Sequence, residues 1–241
     1  MSSPEKQPRI RRLVLRCLTT IIGCAGLIWG VLNTPRGEAA DDFRELESHL
    51  LQFETFNQTT ATGALASALA WDVGPCDNHA QRALLLMEIP LADAALRSGA
   101  ARDYDDHVRS LDSRARQALG CTPRESFVWL VLFGLETGHG ILNGHTFDLL
   151  AMSYDTSPNE AWIAIRRITL AIPVVLSAPE PMQQRILSEF LDLVKNGFVE
   201  LPARAFLRAS GPTRALLQSR IEQLDAAGQK AFSDALQKQR A

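Results

Sequence analysis

Two stretches, Thr122-Pro123-Arg124-Glu125-Ser126-Phe127-Val128-Trp129 and Ser157-Pro158-Asn159-Glu160-Ala161-Trp162, read alike and decide the fold. Each opens on a hydroxyl residue, follows it with proline and reaches glutamate two residues later. That order predicts a helix start. The hydroxyl accepts from an orphan backbone N–H, the proline lacks the N–H that would go unpaired there, and the glutamate answers the helix dipole. Each start leads to a tryptophan, Trp129 and Trp162. The prolines stand 35 residues apart and the tryptophans 33. A period near 34 is the length of a repeating helical hairpin. Between the two starts the sequence predicts a helix over 126–137, a turn holding Gly138, Gly140 and Gly144, and a second helix over 146–154.

The flanks are helical as well. The 241 residues include 34 Leu and 31 Ala against 10 Val and 2 Tyr, a composition of helix formers that argues against an all-β fold. Phe43, Leu46, Leu50 and Phe53 form one helical stripe behind the capping box Asp42-x-x-Glu45. An Ala-rich helix follows over 60–71. Asp77 caps a helix over 78–98 that Pro90 should kink and Gly99 ends. Tyr104, Val108, Leu111, Ala115 and Ala118 make the next stripe, ended by Gly120. An amphipathic helix over 177–196 presents Met182, Ile186, Phe190 and Leu193 on one face. Gly197 stops it, with Phe198 as the partner of a Schellman cap. Helices over 201–209, 212–224 and 226–238, the last capped by Asp225, carry more charge and suit the polar outer face of a capping repeat.

The amino terminus has another character. Residues 1–36 carry net charge +5, which leaves −7 for the remainder. A mildly acidic body is a poor nucleic-acid binder. No charge falls between Arg16 and Arg36, and residues 13–33 are apolar over about the length that crosses a bilayer as a helix. Basic residues precede this segment and acidic ones follow, which keeps the N-terminus in the cytoplasm and exports the rest. The organisation expected is a cytoplasmic tail over 1–12, a transmembrane anchor over 13–33, a linker over 34–40 and a helical domain over 41–241. A cleaved signal peptide stays open beside the retained anchor, because Gly37-Glu38-Ala39 is a small-x-small site. Gly26 and Gly30 form a G-x-x-x-G spacing through which two anchors can approach and dimerise.

Cys17 and Cys24 fall in the apolar segment. Cys76 and Cys121 fall in the exported body, where an oxidising compartment allows them to pair. A bond between them closes a loop of about 45 residues, worth ~4 kcal/mol on the loop-entropy account. Two separate buried thiols are the alternative.

No chemistry stands out. His139 and His145 bracket the Gly-rich turn behind Glu136 but lack a metal-site spacing, and read as solvated. Asp103, Asp105 and Asp106 supply negative charge at a helix start. No nucleophile elbow, phosphate loop or dinucleotide fingerprint occurs. No catalytic residue, cofactor or metal is expected. Phe127, Trp129, Phe133 and Trp162 read as core, one aromatic per repeat start. The alternative is a partner groove lined by Trp129, Phe133, Trp162 and Arg166. Arg166 and Arg167 read as a solvated face.

The runs Ala118–Pro123, Met152–Pro158 and, more degenerate, Ala68–Pro75 resemble the end of a tetratricopeptide second helix and its loop proline, although most of that consensus is absent. Pro75-Cys76-Asp77, Ser126–Leu130, Pro158–Trp162 and Val194-x-x-Gly197-Phe198 resemble a family of uncharacterised, N-terminally anchored helical proteins of alphaproteobacteria, over most of 64–200. The resemblance implies an all-α chain: a transmembrane helix followed by a TPR-like array of hairpins, an α-solenoid. The function expected is a membrane-tethered scaffold or adaptor for protein–protein interaction in the bacterial envelope. It is single-pass in the inner membrane with a periplasmic body, and its partner is another envelope protein. The family's link to surface polysaccharide implies an alternative, an accessory factor or enzyme in the biosynthesis or export of that material.

Overall fold

Asp77 begins the first long helix of the body. Its carboxylate accepts from the Ala80 N–H at 3.1 Å, and Asn78–Ser98 (α1) then runs unbroken through Pro90 to Gly99. Gly99 has φ +73°, the left-handed conformation that glycine adopts without a Cβ penalty. The computed structural model describes residues 14–30, 59, 62–63, 65–66, 73–74 and 76–240. After α1 come Ala101–Cys121 (α2), Ser126–Gly138 (α3), Gly144–Thr156 (α4), Ala161–Ala171 (α5), a 3-10 turn over Ile172–Ser177, Glu180–Lys195 (α6), Glu200–Arg208 (α7), Gly211–Ile221 (α8) and Ala226–Arg240 (α9). Among the described residues there is no strand, and the fold is all-α.

The repeated starts do form, but not as the sequence predicts. Helices α3 and α5 begin at Ser126 and Ala161, with Glu125 and Glu160 as their N-caps in extended backbone and without a side-chain cap bond. The hydroxyl residues belong to the preceding helices instead. Thr122 and Ser157 are the C-caps of α2 and α4. Thr122 Oγ1 spends its proton on neighbours, lying 2.6 Å from Asn78 Oδ1 and 3.1 Å from the Ala118 carbonyl. The glutamates are equally committed: Glu125 takes Arg82 at 2.5 Å, and Glu160 accepts from the Trp162 indole N–H at 2.8 Å. In this register the two N-caps are 35 residues apart, so Trp162 corresponds to Phe127 and Trp129 to Ala164. The tryptophan spacing of 33 was a coincidence of two different positions.

Helices α1 and α2 pack as one pair and α3 and α4 as another, with α2 against α3. From α5 the order changes. Helix α5 packs on α6 and α7, and α9 turns back onto α7 and α6. The reason lies in three rings: Phe232 of α9 meets Phe190 of α6 at 5.8 Å and Phe206 of α7 at 5.6 Å, both edge-on. Phe190 and Phe232 are completely or almost completely buried. The last three helices therefore contribute core (Phe206, Leu217, Ile221, Phe232) and not merely a polar cover. Helix α6 starts at Glu180 rather than 177, because the 3-10 turn ends at Ser177 and Pro179 supplies the N-cap. Its end follows the sequence reading. Gly197 has φ +84°, the Phe198 N–H donates to Leu193 O at 2.9 Å and the Gly197 N–H to Val194 O at 3.1 Å, the two bonds of a Schellman motif. At Gly134 the helices α3 and α5 approach closely, since a Cβ there would lie 3.2 Å from Leu170 Cδ1.

Residues 14–30 are helical and exposed along their length. Among the described residues no helix is long and apolar enough to cross a membrane. At about 1.5 Å per residue the helix over 14–30 reaches ~25 Å, and the two ends of the expected 13–33 span lie outside the described residues. A Cβ at Gly26 or Gly30 would meet nothing within 4 Å. The stripe Phe43–Phe53 and most of the helix expected over 60–71 also lie outside the described residues.

Candidate functional site

The site grows from one residue that the sequence reading put in water. Arg167 lies on α5, four residues after Ile163 and four before Ala171, on the buried stripe of the helix, and its side chain is 0% exposed. A buried guanidinium needs its donors filled and its charge met. Glu189 of α6 supplies the charge: Arg167 Nη2 donates to Glu189 Oε1 at 2.6 Å and Nε to the same oxygen at 2.9 Å. The third nitrogen, Nη1, donates to the carbonyls of Ser153 at 3.0 Å and Ser157 at 3.1 Å. Those carbonyls belong to the C-terminal turn of α4, where the helix leaves acceptors unpaired and carries partial negative charge. Arg167 thus ties three helices with one planar fork, which a lysine does not offer.

Tyr154 completes the cluster. Its ring lies under the guanidinium carbons of Arg167, at 4.4 Å from the centroid, and Arg185, at 4.8 Å. Its hydroxyl donates to Glu189 Oε2 at 2.9 Å. Arg185 in turn pairs with Asp155 at 2.7 Å. Below them, the Ser126 hydroxyl donates to the Ser153 carbonyl at 2.7 Å, which links α3 to the same point. Burial, followed by the Glu189 charge, pushes the Tyr154 phenol well above its ordinary range. Burial also raises the Glu189 carboxyl, and the hydrogen bond from Arg167 opposes that rise without cancelling it.

Above the cluster opens a cleft of about 600 Å³. Its walls are the α4–α5 connection (Pro158, Asn159), the start of α5 (Ala161, Ala164), the outer face of α6 (Arg185, Ser188, Glu189, Asp192) and the Asn196–Phe198 corner. Volume and mixed lining are those of a small-ligand or peptide site. Glu189 and Arg185 are spent on partners, and Tyr154 holds its proton. The polar groups of the cluster are thus engaged chiefly with one another beneath the cleft.

The aromatic residues singled out in the sequence lie elsewhere. Phe133 is fully buried against Phe147, with ring centroids 6.5 Å apart, and lines no groove. Trp129 is half-buried and its indole N–H donates to the Pro123 carbonyl at 2.8 Å. Trp162 is half-buried against Phe127 at 5.7 Å, with Arg82 at 5.5 Å and Arg166 at 5.3 Å from its ring centroid. Burial lowers Arg166 to about 10. Cys76 and Cys121 are bonded, with Cα atoms 5.2 Å apart. His145 faces Glu136 at 3.5 Å, while the Thr146 hydroxyl donates to the other Glu136 oxygen at 2.6 Å. His139 is exposed, and among the described residues no group of three metal-ligating side chains gathers. Asp103 stands in the first turn of α2, and Asp106 pairs with Arg109.

Sequence reasoning missed Arg167, Glu189 and Tyr154. A signal was present, because Ile163, Arg167 and Ala171 step by four along an otherwise apolar face. No family model matches this chain, and neither a curated protein nor a solved structure matches it.

Proposed function

We propose that this chain is a membrane-tethered helical adaptor of the bacterial envelope. Segment 13–33 anchors it in the inner membrane with the basic tail in the cytoplasm, and the body stands in the periplasm and holds another envelope protein. The observation that carries the reading is the cleft floored by Tyr154 and Glu189, with the buried Arg167 holding Glu189 from beneath. Its charged floor is engaged internally, so it suits holding a partner better than turning over a substrate. The Cys76–Cys121 bond supports the compartment, since paired cysteines persist where the surroundings are oxidising. The pairs α1–α2 and α3–α4 support a TPR-like origin for the first half of the body. Contact between anchors through Gly26 and Gly30 is part of the same proposal.

Crosslinking in intact membranes, followed by identification of what is joined to the chain, tests the adaptor role. A specific envelope protein is the expected product; recovery of the chain alone removes the proposal. A reporter fused to the C-terminus tests the topology, and activity confined to the cytoplasm overturns it. A second reading, an accessory factor in surface-polysaccharide assembly, is favoured by the two carboxylates, Glu189 and Asp192, that share the cleft. Unchanged surface polysaccharide in a deletion strain removes that reading and leaves the first intact.

A further inference from the structure

We infer that the cleft takes an extended peptide segment bearing a lysine or arginine beside an apolar residue. The only cation among the described lining residues, Arg185, is already held by Asp155 at 2.7 Å and stacked on Tyr154. An anionic ligand therefore finds no uncommitted positive charge. Acceptors, by contrast, are in surplus. The exposed Asp192 carboxylate has nothing nearer than the Ser188 hydroxyl at 3.4 Å and Lys195 at 3.6 Å. The Asn196 amide donates to the Asp192 carbonyl at 2.7 Å, which leaves its own oxygen for a ligand. The Asn159 amide makes no hydrogen bond to the described residues and can both donate to and accept from a peptide unit. Interleaved with these acceptors are the apolar residues Pro158, Ala161, Ala164, Leu193 and Phe198, the last 45% exposed.

A lining that alternates free acceptors with apolar residues selects a ligand that donates, carries positive charge and has an aliphatic or aromatic neighbour. A basic side chain meets Asp192, its apolar neighbour covers Phe198, and the amides of Asn159 and Asn196 hold the backbone between them. A cleft of about 600 Å³ admits a short segment and not a folded domain. This assignment rests on the adaptor reading above, to which it adds the chemistry of the partner.

The test pans a display library of random heptapeptides on the detergent-solubilised full chain and measures the enriched peptides, synthesised with a fluorophore, by anisotropy. Enrichment of a lysine or arginine next to an apolar residue is expected. Asp192→Asn and Phe198→Ala, both at exposed positions, should each weaken binding by about tenfold, and added salt should weaken it in the parent and much less in Asp192→Asn. No enriched pattern, an acidic or uncharged one, or peptides that bind both variants as well as the parent overturns the inference. So does displacement of the peptide by spermidine or by a neutral disaccharide at equal concentration, which would assign the cleft to a small amine or a sugar. If membrane crosslinking still finds a partner that both variants retain, the cleft assignment fails while the adaptor reading stands.

Discussion

Glu88 and Glu189 are two buried carboxylates in one molecule, and they are stabilised in opposite ways. Glu88 lies in the seam between α1 and α2, 3% exposed. It accepts from Ser110 at 2.9 Å and faces His107 at 3.3 Å and Arg114 at 3.8 Å. Its counter-ions keep contact with water: the side chains of His107 and Arg114 are 28% and 19% exposed. Glu189 meets an arginine that is 0% exposed. In the first case the charge is shared among several half-solvated groups. In the second the main counter-ion is itself shut away from water, while the carboxylate edges the cleft and also accepts from the Tyr154 hydroxyl at 2.9 Å. A sealed pair contributes little net stability but makes each member costly to lose, because the survivor remains as an uncompensated buried charge.

That contrast can be broken by mutation. The largest effect expected is that of Arg167→Ala, a loss of about 3–5 kcal/mol in urea unfolding, since Glu189 and the Ser153 and Ser157 carbonyls lose their common donor and the Tyr154 ring loses the guanidinium stacked on it. Arg114→Ala should cost about 1–2 kcal/mol, because Glu88 keeps Ser110 and His107 while Gln81 loses a hydrogen bond of 3.0 Å. If the two losses prove equal, the distinction between the sites is void. The pH dependence sharpens it further. Burial raises the Glu189 carboxyl against the pull of Arg167, with Tyr154 and Arg185 also facing it. A group raised on folding contributes stability that is complete below the ordinary carboxylate range and declines as pH rises through its native value. Unfolding free energy should therefore fall with pH just above the usual glutamate range, and Glu189→Gln should flatten that slope. An unchanged slope in the variant assigns the effect to another group. The smallest effect is the control, Lys238→Ala. It removes an exposed pair with Glu200 at 2.6 Å, which solvent screens, and should leave the urea midpoint unchanged within error.

How much of this was legible follows the range of the interactions. Local signals were read correctly where a single residue type dictates a backbone state: the Asp77 cap, the Gly99 stop and the Gly197–Phe198 corner all appear where the sequence put them. The Thr-Pro and Ser-Pro motifs were legible as boundaries, yet neither hydroxyl caps the helix that follows: Thr122 Oγ1 turns to the Ala118 carbonyl, and Ser157 Oγ is buried with no hydrogen-bond partner among the described residues. Thr122 has Asn78 within reach, 44 residues away, a partner that no local pattern announces. The cluster under the cleft was the least legible, because charge patterning counts an arginine as solvated unless a counter-ion is known, and Glu189 is 22 residues distant. The closing of the C-terminal helices over Phe190 and Phe232 was likewise hidden, as the charged outer faces of α7–α9 outweigh their few buried rings in any local window.

The Cys76–Cys121 bond has a mechanical consequence. A pull arriving along the chain from its N-terminal side reaches Cys76 before it reaches α1, and the covalent link passes the load straight to Cys121 at the end of α2. The whole α1–α2 hairpin then hangs as an unloaded loop. Tension is carried to the junction of α2 with α3, so the hairpin cannot be peeled away turn by turn, and any yielding must begin in the helices beyond Cys121.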